Sequence, residues 1–262
     1  MKHFKVRKLV LLALVLIGVG TVGTWLTRES ATDSHNPVEV TVPVAGMDSL
    51  RINASNRRID FAVSNNDEVR VVMAGNTRRT DLTADVVDNE IVIEARQRRQ
   101  FMSLNFDGIG TSTLTVYLPE HEFEQITAST TNGGIVADNL LARDVSLRTS
   151  NGQVEARNLQ GNLEIRTTNG RVNVSHIAGD IQVRTTNGRI EFVNPTLAQN
   201  VEMQTTNGRI EMELAEEPTD AAFRTSTTNG SVSIFGSDSW DSGSVYEINL
   251  RTTNGGITVR TR

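Results

Sequence analysis

The chain contains no cysteine. That excludes disulfides, thiolate-bound zinc and a cysteine nucleophile. Aromatic residues make up 5% and all hydrophobics 37% of the 262 residues, so any core must be aliphatic and thin, spread over one or two domains. Lysine is absent beyond the first eight residues, where Lys2, Lys5 and Lys8 stand with Arg7. From Thr27 onward, 22 arginines face 31 acidic residues, a net charge of −9. Such a body is unsuited to nucleic acid, which is bound through a basic surface that releases counterions. Phosphate-loop, serine-hydrolase, zincin and EF-hand signatures are also missing. The four histidines (His3, His35, His121, His176) are scattered without metal-ligand spacing, so no cofactor and no metal are expected.

What is present begins with residues Leu9 to Leu26, eighteen residues without a charge. As a helix rising 1.5 Å per residue this run spans roughly 27 Å, enough for a hydrocarbon core. The basic residues 1–8 precede it and Trp25 closes it at interface depth. The positive-inside rule keeps residues 1–8 cytoplasmic and exports the rest. The expectation is a single transmembrane signal anchor (9–26), a polar linker (27–37) and an extracytoplasmic domain (38–262) at the cell membrane. A cleaved signal peptide, with Thr21 and Gly23 as the small residues before the cut, is the alternative. A lipoprotein is excluded, since no cysteine can carry the lipid.

One phrase dominates the remainder. Asn-Gly occurs at Asn132, Asn151, Asn169, Asn187, Asn207, Asn229 and Asn254, at spacings of 19, 18, 18, 20, 22 and 25 residues. A period of about 20 belongs to stacked repeat architectures. The flanks repeat as well: Leu163-Glu-Ile-Arg-Thr-Thr-Asn-Gly-Arg-Val-Asn-Val174 is followed by Ile181-Gln-Val-Arg-Thr-Thr-Asn-Gly-Arg-Ile-Glu-Phe192. Apolar and polar residues alternate on both sides of each Asn-Gly, the pattern of half-buried strands. Leu163, Ile165, Val172 and Val174 face inward; Glu164, Arg166, Arg171 and Asn173 face out. The Asn-Gly pair supplies positive φ for a sharp bend.

Two architectures satisfy this parity. One is a series of antiparallel hairpins in a meander or sandwich, for which Asn-Gly is a strong signal. The other, favoured here, is an all-β, parallel β-solenoid of about 20-residue coils bending at each Asn-Gly. A hairpin tip asks for Asn-Gly but not for the Thr-Thr before it. In stacked coils identical side chains sit about 4.8 Å apart, so asparagines and threonines can form hydrogen-bonded ladders. Residues 126–262 carry the regular repeats and residues 38–125 a blurred version. Leu50-Arg-Ile-Asn-Ala-Ser-Asn-Arg-Arg-Ile-Asp-Phe61 keeps the pattern with Asn56-Arg57 in place of Asn-Gly. Val69–Val72, Ala84–Glu94 and Thr113–Leu118 read as further strands, and Arg96 to Gly110 as a loop that is either a cover or an excursion.

The run from Leu114 to Ile135, a strand followed by Leu118-Pro119, a spacer, Ile126 and Thr131-Asn132-Gly133-Gly134-Ile135, resembles the bacterial putative-adhesin domain family of unknown function. LiaG-like membrane-anchored proteins are members of that family. The resemblance covers about residues 40–262. It implies a β-solenoid-like fold on the outer side of the membrane, in proteins attached to or encoded near envelope-stress signalling systems. It brings no catalytic or binding residues.

Candidate sites therefore come from the stacking alone. Arg171, Arg189 and Arg209 would form one column, with Arg166 and Arg184 in another beside it. Like charges at coil spacing repel, so Glu164, Glu191, Glu202 and Glu211 or an external anion must compensate. Arginine's planar fork suits phosphate and carboxylate, which makes an anionic cell-wall polymer such as a teichoic acid the candidate ligand. Glu191 and Glu211 also stack, but each has an arginine two residues away, so an ion-pair ladder outweighs a catalytic pair. In the insertion Gly236–Gly243, Trp240 either stacks on a sugar or caps the last coil, and Asp238 with Asp241 could hold calcium weakly. The expectation is a non-enzymatic adhesin-like binding or scaffold module of the cell envelope, contacting polymer or a membrane signalling protein. A polysaccharide-active β-helix enzyme is the alternative.

Overall fold

The computed structural model describes residues 29–30, 37–75, 77, 80–97, 112–237, 239–240, 242–243 and 245–262. The expected membrane helix (9–26), most of the linker (27–37), most of the loop expected over 96–110 (98–110), and Asp238 and Asp241 lie outside the described residues. Among the described residues every regular element is a strand, and no helix is long and apolar enough to cross a membrane.

Each Asn-Gly copy forms a two-strand coil. In the Asn187 coil, Ile181–Arg184 leads into the bend and Ile190–Asn194 leaves it. Ile181, Val183, Ile190 and Phe192 point inward and are at most 3% exposed. Coils stack in parallel and in register. Ile165 lies beside Val183, Val183 beside Met203 and Met203 beside Leu250 in the leading strands. Val174, Phe192, Met212 and Val259 line up likewise in the trailing strands. Leading and trailing strands thus build two parallel sheets over one aliphatic core. A second bend joins coil to coil, and Leu140, Leu159, Ile177 and Leu197 are buried beneath it.

The asparagine ladder runs without a break through eight coils. Asn151 donates its side-chain amide to the Asn132 carbonyl oxygen (2.7 Å), Asn169 to Asn151 (2.8 Å), Asn187 to Asn169 (2.7 Å) and Asn207 to Asn187 (2.7 Å). Asn132 donates to Asn56 at one end; Asn254 donates to Asn207 (2.7 Å) and Asn229 to Asn254 (2.8 Å) at the other. Every amide points the same way, so the bonds polarise one another.

The threonines and glycines act differently from expectation. The first threonine of each pair does not bond to another threonine. Its Oγ1 donates to the backbone carbonyl at the glycine position of the adjacent coil: Thr149 to Gly133 (2.8 Å), Thr205 to Gly188 (3.0 Å), Thr252 to Gly208 (2.9 Å). Nor do the bends require left-handed backbone. Of the seven glycines after asparagine only Gly255 has positive φ, and among the bend asparagines only Asn56 does. The reason for glycine is contact. A Cβ at Gly188 would lie 1.9 Å from the Gly170 carbonyl oxygen, and one at Gly208 2.0 Å from that of Gly188. Left-handed residues sit instead in the second bend, at Asn139, Asn158, His176, Gly161 and Gly179.

Stacking order also departs from chain order. The C-terminal coil, Tyr246–Asn254 with Ile257–Thr261, is inserted between the Asn207 coil and the Asn229 coil. The Asn229 coil, Ala221–Asn229 with Val232–Ile234, is therefore outermost. The mirror event occurs at the opposite end. The Asn56 coil, Ser49–Ala54 with Arg58–Val63, lies between the Asn132 coil and an outermost coil made of Glu90–Gln97 and Thr113–Leu118. Residues 49–63 are thus a regular coil. Beyond the outermost coil the strands turn antiparallel: Val38–Pro43 pairs with Glu68–Ala74, Glu68–Ala74 with Thr113–Leu118, and Thr80–Val87 with Glu90–Gln97. The last pair corrects the single strand expected over 84–94, because Asp88 (φ 54°) turns the chain into a hairpin. At the far end the segment after Val232–Ile234 folds over the last coil. Phe223 N donates to Trp240 O (3.3 Å) and Ser242 N to Ala221 O (3.2 Å), closing part of an open edge.

Gly188→Ala is expected to cost about 3 kcal/mol, because the clashing atom is backbone and two coils must separate. Gly46→Ala meets nothing within 4 Å and strains only a φ of +79°, for about 1 kcal/mol. Urea midpoints at unchanged m-value would separate the two; equal shifts would refute the contact explanation.

Candidate binding faces

The parallel register places Arg171, Arg189 and Arg209 on three successive trailing strands. Val172 N donates to Arg189 O (2.9 Å) and Ile190 N to Arg209 O (3.0 Å), so the three backbones are stacked directly. Gln153 flanks the column on one side and Gly256 on the other, which limits it to three arginines. Arg166 and Arg184 also stack, with Arg148 before them, but in the leading sheet. The two columns are therefore not side by side. Each turns outward from its own sheet, with the core between, because the chain has rounded the Asn-Gly bend between Arg166 and Arg171.

Carboxylates of the protein meet most of this charge. Arg189 pairs with Glu191 (3.0 Å) and Arg209 with Glu211 (3.5 Å) two residues along the same strand. Arg58 and Asp60 repeat the arrangement at 2.7 Å. The hydrogen bond that Arg189 donates to Glu191 and the charge of Glu211 raise the Arg189 pKa, favouring its charged form. On the leading face Glu164 receives both Arg148 (3.0 Å) and Arg166, and Glu202 receives Arg184 (2.8 Å) and Gln182 (2.8 Å). Burial alone would raise the Glu164 pKa, but the bonds from Arg148 and Arg166 outweigh it and hold the carboxyl below its usual range. Glu202 is lowered too, chiefly by Arg184 and then Gln182.

Arg171 is the exception. The residue two along is Asn173 rather than a carboxylate. Among the described residues no ion pair or side-chain hydrogen bond engages the Arg171 guanidinium, and the side chain is exposed. Trp240 stands apart from all five arginines, at the end of the stack. Its ring packs edge-on against Phe235 (centroids 4.8 Å), which meets Phe223 (6.1 Å).

The sequence reading missed a second ladder. At the start of the leading strands, Asn162 donates to Asp144 (3.0 Å), Asp180 N to the Asn162 side chain (3.1 Å), Asn200 N to Asp180 (3.0 Å) and Glu247 N to Asn200 (3.1 Å). Acid and amide alternate, so no two carboxylates occupy adjacent rungs. These residues line a shallow trough with Glu164 and Glu202. The signal was legible as Asp144, Asn162, Asp180 and Asn200 at intervals of 18, 18 and 20 residues, but it lacked a fixed phrase around it. The buried Arg57 was also missed. It stands at the glycine position of its coil, 5% exposed, donating to Thr80 Oγ1 and to Ser55 O (2.9 Å), and burial lowers its pKa.

Stacked two-strand coils, repeated on either side of residue 162, match the Toastrack DUF4097 family twice, over residues 47–163 and 161–260. The chain belongs to this family. No curated protein matches the chain. Among solved structures, this Toastrack chain is similar to a putative cell adhesion protein from Clostridium sporogenes, at 13% identity and TM-score 0.40, over 87% of this chain and 100% of the other. A putative adhesin from Bacteroides fragilis is similar at 11% identity and TM-score 0.45, over 87% and 97%. One from Parabacteroides distasonis is similar at 10% and 0.42, over 87% and 98%. The expected membership of a domain family of unknown function is met by the Toastrack match.

The lowered Glu164 pKa fixes a sign. Its contribution to stability is complete above the unfolded carboxylate pKa, near 4.3, and is lost as pH falls through the lower folded value. Glu164→Gln should destabilise the protein by about 0.5–1 kcal/mol at pH 7 and flatten the loss of stability below pH ~4. Unfolding curves with the same acid slope for both proteins would count against the Arg148–Glu164–Arg166 cluster.

Proposed function

We propose that this Toastrack chain is a membrane-tethered, extracytoplasmic binding or scaffold module of the cell envelope. It is built as a β-solenoid, and the Arg171–Arg189–Arg209 strip docks an anionic polymer such as a teichoic acid. The observation that carries the reading is the strip itself. Three arginines stand on successive strands of one sheet, and the first makes no ion pair among the described residues. A polymer with regularly spaced phosphates offers successive anions to such a row, and arginine binds each through two parallel donors. Arg166 and Arg184, bound to Glu164 and Glu202 on the other sheet, contribute a charged face but less free capacity. Trp240 serves the end cap.

The tether is supported by the uncharged run Leu9–Leu26 behind four basic residues. A membrane signalling protein of an envelope-stress system is the partner implied by the family resemblance, and it would meet the same exported domain. A polysaccharide-active enzyme is disfavoured by the carboxylates of the trough. A glycosidic general acid needs a raised pKa, whereas Glu164 and Glu202 are both lowered.

Purified wall teichoic acid should bind the full-length chain in detergent. The triple variant Arg171→Gln, Arg189→Gln, Arg209→Gln should lose about tenfold or more in affinity and show a shallower salt dependence. Arg224→Gln with Arg260→Gln should leave binding unchanged. Equal affinity for a neutral polysaccharide, or an unaffected triple variant, would overturn the strip as the docking surface.

A further inference from the structure

The seven Asn-Gly pairs share a sequence but not an environment, and the difference is chemical. An asparagine followed by glycine can lose its amide when the glycine nitrogen attacks the side-chain carbonyl carbon, a reaction that the absent glycine side chain leaves unhindered. At four of the other six pairs this nitrogen is occupied. Gly170 N donates to Asn187 O (3.2 Å), Gly188 N to Asn207 O (3.2 Å), Gly208 N to Asn254 O (3.1 Å) and Gly255 N to Asn229 O (3.0 Å). The asparagine side chain is also held on both sides, donating through Nδ2 to one neighbour and accepting at Oδ1 from the other.

The Asn229 coil is outermost, and there the cage is half open. No further coil lies beyond it, so no described residue takes a hydrogen bond from Gly230 N or gives one to Asn229 Oδ1. Gly230 is the single exposed glycine of the seven; the other six are half-buried. A coil bound on one side only also opens locally at the smallest free-energy cost.

We propose that Asn229-Gly230 is a site of spontaneous covalent modification, deamidating selectively over the six other Asn-Gly pairs. The Gly230 nitrogen forms a bond to Asn229 Cγ and gives up its proton. The Cγ–Nδ2 bond breaks, and the side-chain nitrogen leaves with that proton as ammonia. The resulting five-membered succinimide is opened by water at either carbonyl carbon, hydroxyl going to carbon and hydrogen to nitrogen. The products are aspartate and isoaspartate at position 229, with no oxidant or reductant consumed. Either product places a carboxylate where an amide donated to Asn254 Oδ1, so the ladder loses its last bond and acceptor faces acceptor. The outer coil loosens and Asn254-Gly255 becomes the next end.

The test is to age the folded full-length chain at pH 8 and 37 °C and map its peptides by mass spectrometry, with enzymatic detection of isoaspartate. Asn229 should convert at least ~10-fold faster than Asn169, Asn187 and Asn207, and in urea all seven should converge on similar rates. Equal rates in the folded chain, an interior site converting first, or an intact Asn229 over the time in which the unfolded chain converts would each overturn the proposal. Asn229→Asp is the second arm: it should speed conversion of Asn254 severalfold, and an unchanged Asn254 rate would overturn the loosening of the outer coil.

Discussion

In the Asn-Gly bends the backbone of one coil rests on the backbone of the next, with no side chain between. The glycine position lies so near the adjacent carbonyl oxygen that even a methyl group would overlap it. Backbone hydrogen bonds between parallel strands set the coil spacing, and only glycine fits this bend at that spacing. At that spacing the asparagine amides reach one another, the first threonine reaches the neighbouring glycine carbonyl, and the inward aliphatic side chains pack row upon row. Two hydrogen-bonding devices and a thin core thus depend on one steric permission. A protein with so few aromatics compensates by regularity, since each identical rung satisfies the polar groups of the next.

The same spacing creates an electrostatic problem, since outward charges at equivalent positions lie one coil apart. The chain solves it in two ways. In the Asp144–Asn162–Asp180–Asn200 ladder, amides separate the acids and hydrogen-bond to them. In the arginine columns, like charges are adjacent and all but Arg171 are drawn aside to a carboxylate, as with Arg189 and Glu191 or Arg184 and Glu202. Asn173 interrupts the second device beneath Arg171.

A stack has ends, and the ends are where this chain departs from its repeat. At each end a coil from elsewhere in the sequence is inserted one place from the edge, so the outermost coil is not the terminal one in the chain. At the N-terminal end antiparallel strands cover the edges. At the other, Phe223, Phe235 and Trp240 cluster beneath a returning loop. The uncovered Asn229-Gly230 bend follows from this incomplete closure.

The local architecture was legible in the amino-acid sequence. Alternation around Asn-Gly fixed which residues face the core, and the recurrence of Thr-Thr-Asn-Gly pointed to stacking in parallel, because identical residues benefit only when identical positions meet. The three-arginine column followed from register alone. The role of glycine was misread, since a tight bend and a close backbone approach demand the same residue and only coordinates distinguish a torsion angle from a contact. The separation of Arg166 from Arg171 depended on which sheet each strand joined. Coil order was equally hidden. Near-identical coils accept one another in any sequence, so the repeat specifies that coils stack but not which neighbours they take. That choice is settled by connections, end caps and edge closure, which exist only once the chain has folded.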